Sequence, residues 1–94
     1  MPALLAPFEA LWQAVTRPPF TEKQGQYLVF IHLYTKINGQ PPAQTDMARY
    51  FRVEASSVHR MVVTLEQKGL ISRQSRVPRS LQVLLPREDL PPLR

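Results

Sequence analysis

The sequence predicts a mainly α-helical domain with a small β-hairpin at its end, and three observations predict it. Apolar residues recur at three- and four-residue spacing through four successive stretches, as they do on helices with one buried face. Helix stops and starts separate those stretches: Pro18-Pro19, Asn38-Gly39, Pro41-Pro42 and Gly69. Beyond Gly69 the pattern shortens to two β-prone runs around a polar loop. The 94 residues suit one domain, and 44% hydrophobic with 20% charged residues is ordinary globular usage.

Taken in order, Leu4, Leu5, Phe8, Leu11, Trp12 and Val15 form one face of a helix from about Ala3 to Thr16. That face covers either the rest of the domain or its counterpart in a second copy. Pro18-Pro19 ends the helix, so residues 1–19 divide off as an N-terminal helix and linker. Thr21 is a candidate N-cap ahead of Glu22, Lys23 and Gln24, opening a second helix from about Glu22 to Ile37. Tyr27, Leu28, Phe30, Ile31, Tyr34 and Ile37 supply its buried stripe. Asn38-Gly39 stops it, because either residue tolerates the left-handed conformation that closes a last turn.

A short third helix is expected from about Ala43 to Phe51, with Met47, Ala48 and Phe51 inward. About three residues later a fourth runs from Ala55 to Lys68, with Glu54 at its N-cap and Gly69 at its stop. At about 100° per residue, Val58, Met61, Val62 and Leu65 share one face, while Ser56, Ser57, Arg60, Val63 and Thr64 turn away. Ile71-Ser72-Arg73 and Leu81-Gln82-Val83-Leu84-Leu85 read as strands, and Gln74 to Ser80 as an arginine-bearing loop broken by Pro78. From Pro86 to Arg94 proline recurs too often for a helix or central strand, so residues 86–94 read as an extended tail after a domain of residues 20–85.

Composition narrows the function classes. Without cysteine there is no disulfide, thiolate nucleophile or thiolate metal site. Two histidines 27 positions apart make no metal site, and no cofactor is indicated. No Gly-rich phosphate loop or Ser/His/Asp set stands in a recognisable context, so neither an enzyme nor a small-molecule substrate is expected. No apolar run approaches the ~20 residues of a membrane span, and no secretory signal opens the chain, so a cytoplasmic, nucleoid-associated protein is expected. The net charge of +5 is concentrated. Between Met47 and Ser80 stand Arg49, Arg52, Arg60, Lys68, Arg73, Arg76 and Arg79 against Glu54 and Glu66, while the rest of the chain is neutral. Such a patch is either a polyanion footprint or a solvated basic surface.

Three helices, a tight turn between the last two, and a terminal hairpin make the layout of a winged helix-turn-helix domain. The run from Met47 to Ile71, with an apolar-Ala pair ahead of the turn, Ser56-Ser57-Val58 after it and Leu65-Glu66-Gln67-Lys68-Gly69-Leu70-Ile71 closing it, resembles MarR-like and other bacterial regulators. The wider stretch from Phe20 to Leu85 resembles the N-terminal DNA-binding domain of the LexA repressor family. The carriers are Phe20-Thr21-Glu22-Lys23-Gln24, Asn38-Gly39-Gln40-Pro41-Pro42 and Lys68-Gly69-Leu70-Ile71. This resemblance implies a winged helix and double-stranded DNA as partner. It does not extend to the family's self-cleaving domain. It also departs at Arg52, where the family's turn usually holds glycine, so a side-chain-bearing residue must enter the left-handed region at a cost of about 1 kcal/mol, or the turn takes another shape.

In this frame the helix at Ala55 to Lys68 enters a major groove, with Ser56, Ser57, Arg60 and Thr64 as base-reading candidates and Val63 against a thymine methyl or sugar. The hairpin tip, through Arg76 and Arg79, reaches an adjacent minor groove or its phosphates. Arg49, Arg52, His59, Lys68 and Arg73 are backbone candidates. Leu4, Phe8, Leu11 and Trp12 are candidates for the seam of a homodimer. Two other readings stay open: a winged-helix adaptor that binds protein, and a plasmid- or replication-associated DNA-binding factor.

Overall fold

A computed structural model describes residues 19–94 of the chain, so the expected N-terminal helix and the seam residues Leu4, Phe8, Leu11 and Trp12 lie outside the described residues. From residue 19 onward the order is α1 (Glu22–Asn38), α2 (Gln44–Phe51), α3 (Ala55–Gln67), β1 (Ile71–Ser72), β2 (Gln82–Val83) and a 3-10 turn at Arg87–Asp89. This is the mainly helical, hairpin-closed fold the sequence predicts.

Helix α1 begins at a reciprocal cap. Gln24 N–H donates to Thr21 Oγ1 at 3.2 Å, and Thr21 N–H donates to Gln24 Oε1 at 3.0 Å, so two N–H groups with no partner inside the helix are satisfied. Gly39 closes the other end at φ 74°. Tyr27, Leu28, Phe30 and Ile31 are buried and Tyr34 is half-buried, as the spacing predicts. Ile37, expected on the same stripe, is instead 80% exposed. It sits in the last turn, beyond the level at which α2 crosses α1, and there is nothing over it to pack against.

The crossing of α1 and α2 is aromatic. Tyr27 and Phe51 stack at 4.1 Å between ring centroids, and Phe30 meets Tyr50 at 4.6 Å and Phe51 edge-on at 5.5 Å. Met47 lies beneath, fully buried with Val58, Val62 and Leu65 of α3. Helix α2 starts one residue later than expected. Ala43 has no side-chain acceptor to offer as a cap, and the third residue of the helix takes half of that role: Ala43 N–H donates to Asp46 Oδ2 at 2.9 Å.

The turn from α2 to α3 takes the strained form. Arg52 stands at φ 55°, ψ 49°, and Val53 N–H reaches back to the Ala48 carbonyl at 3.1 Å. Helix α3 then presents Val58, Val62 and Leu65 to the core with Met61 half-buried. Val63, turned away from that strip by helical phase, is nonetheless half-buried.

The hairpin is shorter than expected. Ile71 pairs with Val83 and Ser72 with Gln82, while Leu84 N–H to the Leu70 carbonyl, 2.9 Å, continues the contact. Buried Leu70, Ile71 and Leu81 root it in the core. The loop between is closed by Ser80, whose hydroxyl oxygen accepts from Gln74 N–H at 3.0 Å and lies 2.8 Å from the Val77 carbonyl.

Residues 86–94 turn through Arg87–Asp89 and run back along α1. The Gln26 amide donates to the Pro92 carbonyl at 3.0 Å and accepts from Arg94 N–H at 2.8 Å, and Tyr50 Oη donates to the Arg94 carbonyl at 3.0 Å. Arg94 also pairs with Glu22. Gly25 makes room for this strap: a Cβ there would fall 2.8 Å from Phe20 Cε1 and 3.1 Å from Pro91 Cγ.

Two outcomes follow from the turn and the cap. Replacing Arg52 with Gly raises stability by about 1 kcal/mol in urea unfolding, because the left-handed conformation then carries no Cβ penalty. Asp46 is held below the usual carboxylate range, first by the Ala43 N–H; burial opposes this next in size, and Arg79, the Tyr34 hydroxyl and Arg49 add to the lowering in that order. Since the folded state lowers this group's pKa, the stability it contributes is complete above the ordinary carboxylate range and is lost as pH falls through and below it. Unfolding of Asp46→Asn between pH 6 and pH 2 shows a shallower acid limb than the parent; identical limbs would refute the assignment.

Candidate nucleic-acid interface

The outward ridge of α3 follows from helical geometry. At about 100° per residue, Ser56, Arg60, Val63 and Gln67 lie opposite the buried strip of Val58, Val62 and Leu65. Ser56 and Arg60 are exposed, and neither makes an ion pair among the described residues. Ser57 is half-buried on one flank. Thr64 shares that flank and is exposed, but its hydroxyl donates back to the Arg60 carbonyl at 2.9 Å, leaving its methyl and an acceptor lone pair to face outward. The first turn of α3 holds no acid, and Glu54 makes no side-chain cap, so its N–H groups keep their positive potential.

The opposite flank carries exposed His59 and, farther along, Glu66. Arg73, just past β1, reaches Glu66 Oε1 through Nε at 3.3 Å, which holds the hairpin beside this flank. Arg76 stands at the loop tip, exposed, at φ 63°. The root of the loop is thus tied to one flank of α3 through a short, charged contact.

The seven basic residues between Met47 and Ser80 divide into two groups. Arg52, Arg60 and Arg76 make no ion pair among the described residues, and Arg49, 81% exposed at its side chain, lies 3.9 Å from Asp46. The other three are engaged by the protein itself. Lys68 Nζ donates to Gln24 Oε1 at 2.8 Å, tying the end of α3 to the cap of α1, and Arg73 is paired with Glu66. Arg79, expected at the loop tip beside Arg76, points inward: its Nη1 lies 3.1 Å from Asp46 Oδ2, 3.2 Å from Tyr34 Oη and 3.4 Å from the Pro41 carbonyl.

Three contributors to this arrangement escape a reading by residue type. Gln24 has a legible signal, since Thr21-x-x-Gln24 fits a capping box, yet nothing in the sequence joins it to Lys68. Asp46 and Tyr34 carry no signal toward Arg79, which is 33 and 45 positions away. His32, half-buried in α1, keeps an Nε2 with no hydrogen-bond partner among the described residues. No group of three His, Cys, Asp or Glu gathers among the described residues, and no helix there is long and apolar enough to cross a membrane.

Comparison with known proteins bears on the same residues. The family model described as LexA DNA binding domain matches residues 17–80. The LexA repressor of Thermotoga petrophila is 38% identical over 63 residues, covering 67% of this chain and 32% of the relative. That of Thermosipho melanesiensis is 36% identical over 70 residues, covering 74% and 35%, and that of Thermosipho africanus 34% over 64 residues, covering 68% and 32%. The chain spans about a third of the length of these curated relatives. The match takes in the three helices, Arg73 and Arg79 of the hairpin and the turn at Arg52, and by it the chain belongs to the LexA DNA-binding domain family.

Proposed function

We propose that this chain binds double-stranded DNA in a sequence-specific manner, as the DNA-binding part of a bacterial transcriptional regulator. The observation that carries the proposal is the outward ridge of α3, small and polar at its start and basic one turn later, with the root of the arginine-bearing loop tied to its flank through Arg73 and Glu66. A B-DNA major groove admits one helix, and Ser56 at the helix start allows close approach to base edges while Arg60 spans to guanine O6 and N7. Arg76 follows the neighbouring minor groove or its phosphates. Arg49 and Arg52 lie toward the backbone, where contacts fix orientation without reading sequence. Lys68, Arg73 and Arg79, already engaged by the protein, serve the geometry of the site rather than its contacts.

This is the reading of a binding module, not of a catalyst, and it places the protein with the nucleoid. The adaptor reading needs acids or exposed aromatics on the ridge. The one strongly exposed aromatic among the described residues, Tyr50, is on α2 and holds the strap. Pairing of two copies across DNA half-sites, with the apolar stripe of Leu4, Phe8, Leu11 and Trp12 as seam, belongs to the same proposal and rests on the spacing of those residues.

Selection of duplexes from a random pool tests the proposal directly; a pool that returns no enriched motif would sink it. On the selected site, Arg60→Ala weakens binding by about 1–3 kcal/mol and relaxes preference at one base position, with an unchanged melting temperature, since Arg60 supports nothing else. Affinity also falls with salt. Arg49, Arg52 and Arg76 on three phosphates give a slope of log K against log salt near about −3, and Arg76→Ala reduces it by about one. A flat salt response is incompatible with these contacts.

A further inference from the structure

Between Arg73 and Ser80 the loop contributes no buried apolar side chain, and Val77 at its tip is 47% exposed. Among the described residues its polar side-chain contacts with the helices come from two arginines, one on each arm: Arg73 to Glu66, and Arg79 to Tyr34, Pro41 and Asp46. The second contact is the more elaborate. It gathers α1 through Tyr34, the α1–α2 connection through the Pro41 carbonyl, and α2 through Asp46. The Asp46 side chain is 16% exposed, and its Oδ2 also accepts the Ala43 N–H that opens α2. One carboxylate oxygen therefore serves both the start of α2 and the root of the loop. Arg76 and Arg79 both stand at positive φ, conformations that an L-residue adopts at a cost and keeps only where its surroundings hold it.

We infer that Asp46, Tyr34 and Arg79 are positioning residues: they clamp the hairpin loop to the helical body so that Arg76 is already placed when α3 enters its groove. The inference rests on the DNA-binding reading and goes beyond it, because it gives a carboxylate a favourable role in binding a polyanion. A contact read from charge alone makes the opposite statement. If Arg79 simply met a phosphate, removing Asp46 would release the arginine, take away a negative charge, and leave binding equal or tighter. If the clamp orders the loop, removing Asp46 makes the loop pay its ordering cost on binding, and affinity falls.

The test is a double-mutant cycle on the full 94-residue chain, with the selected duplex as probe. Asp46→Asn keeps an oxygen for the Ala43 N–H and weakens the hold on Arg79 together with the longer, exposed contact to Arg49, whose release favours binding and so works against the expected loss; Tyr34→Phe removes a single hydroxyl. We expect Asp46→Asn to bind between about twofold and tenfold more weakly, with Tyr34→Phe changing in the same direction by less, the range set by re-ordering one or two side chains. In an Arg76→Ala background the Asp46→Asn effect disappears, because the clamp acts through the tip it places. Amide exchange of residues 74–80 speeds up in Asp46→Asn while that of Leu28, Ile31, Val62 and Leu65 does not, which separates a loosened loop from a damaged fold. Equal or tighter binding by Asp46→Asn, an undiminished effect in the Arg76→Ala background, or unchanged exchange in the loop overturns the clamp alone. Failure of the unaltered chain to bind any duplex overturns the DNA-binding reading, and the clamp's role with it.

Discussion

The corner at Arg52 is the constraint on which the rest of the structure depends. Helix α2 must stop there and the chain must turn into α3, or Val58, Val62 and Leu65 cannot join the core cluster that holds Met47, Leu28 and Ile31. That strip fixes the rotation of α3 about its own axis, and the rotation decides which residues face outward. Ser56 and Arg60 are exposed as the complement of a packing solution, not through any preference of their own. The corner carries this duty with arginine in a left-handed conformation that glycine adopts without penalty. The local strain is met by the burial of Met47 and Leu65 on either side, each fully removed from solvent. Where a few kilocalories of core burial meet about one of backbone strain, the core wins.

Charge is divided in a way that net counts conceal. A basic excess on one third of the chain invites the view that every arginine there faces the same polyanion. The structure instead engages Arg73, Arg79 and Lys68 with Glu66, Asp46 and Gln24, all of which lie on other segments. In Arg79 one terminal nitrogen, Nη1, meets a carboxylate, a phenol and a carbonyl together. An ammonium holds the simpler contact, Lys68 to Gln24. Surface ion pairs add little stability, so the value of these contacts lies in direction: they fix where a poorly packed loop stands.

The fold was legible in the sequence because it rests on periodicity and punctuation. Thr21, Asn38-Gly39, Pro41-Pro42 and Gly69 bound elements that the structure reproduces within a residue or two, since each acts on its own neighbours. What could not be read depends on distance along the chain. Ile37 has the spacing of a core residue, but its burial is decided by where α2 ends its crossing, and no local pattern reports that. Val29 and Leu33 lie off the predicted stripe and face Leu90, Pro91 and Leu93, because a segment expected to extend as a tail returns along α1. At the site, Ser56, Arg60 and Arg76 stand exposed as helix phase and loop position predict. The inward turn of Arg79 needs Tyr34 and Asp46, which meet it only after the helices have packed.

The strap applies the same logic to the other side of the molecule. Proline at 86, 91 and 92 rules out helix and central strand, yet it also lowers the entropy the segment loses when it settles in one extended path. With little conformational freedom to surrender, it is held by two amide contacts from Gln26, one from Tyr50, the Arg94–Glu22 pair, the packing of Leu90 and Leu93 and the space left by Gly25. The hairpin loop has one proline, at 78, and two residues at positive φ, so its path is less restricted by the chain itself and needs charged fastening at both roots. Two irregular segments flank the helices, one stiffened by its prolines and packed along α1, the other held by partners borrowed from three helices. It is the second whose order a single substitution at Asp46 can remove without touching the core.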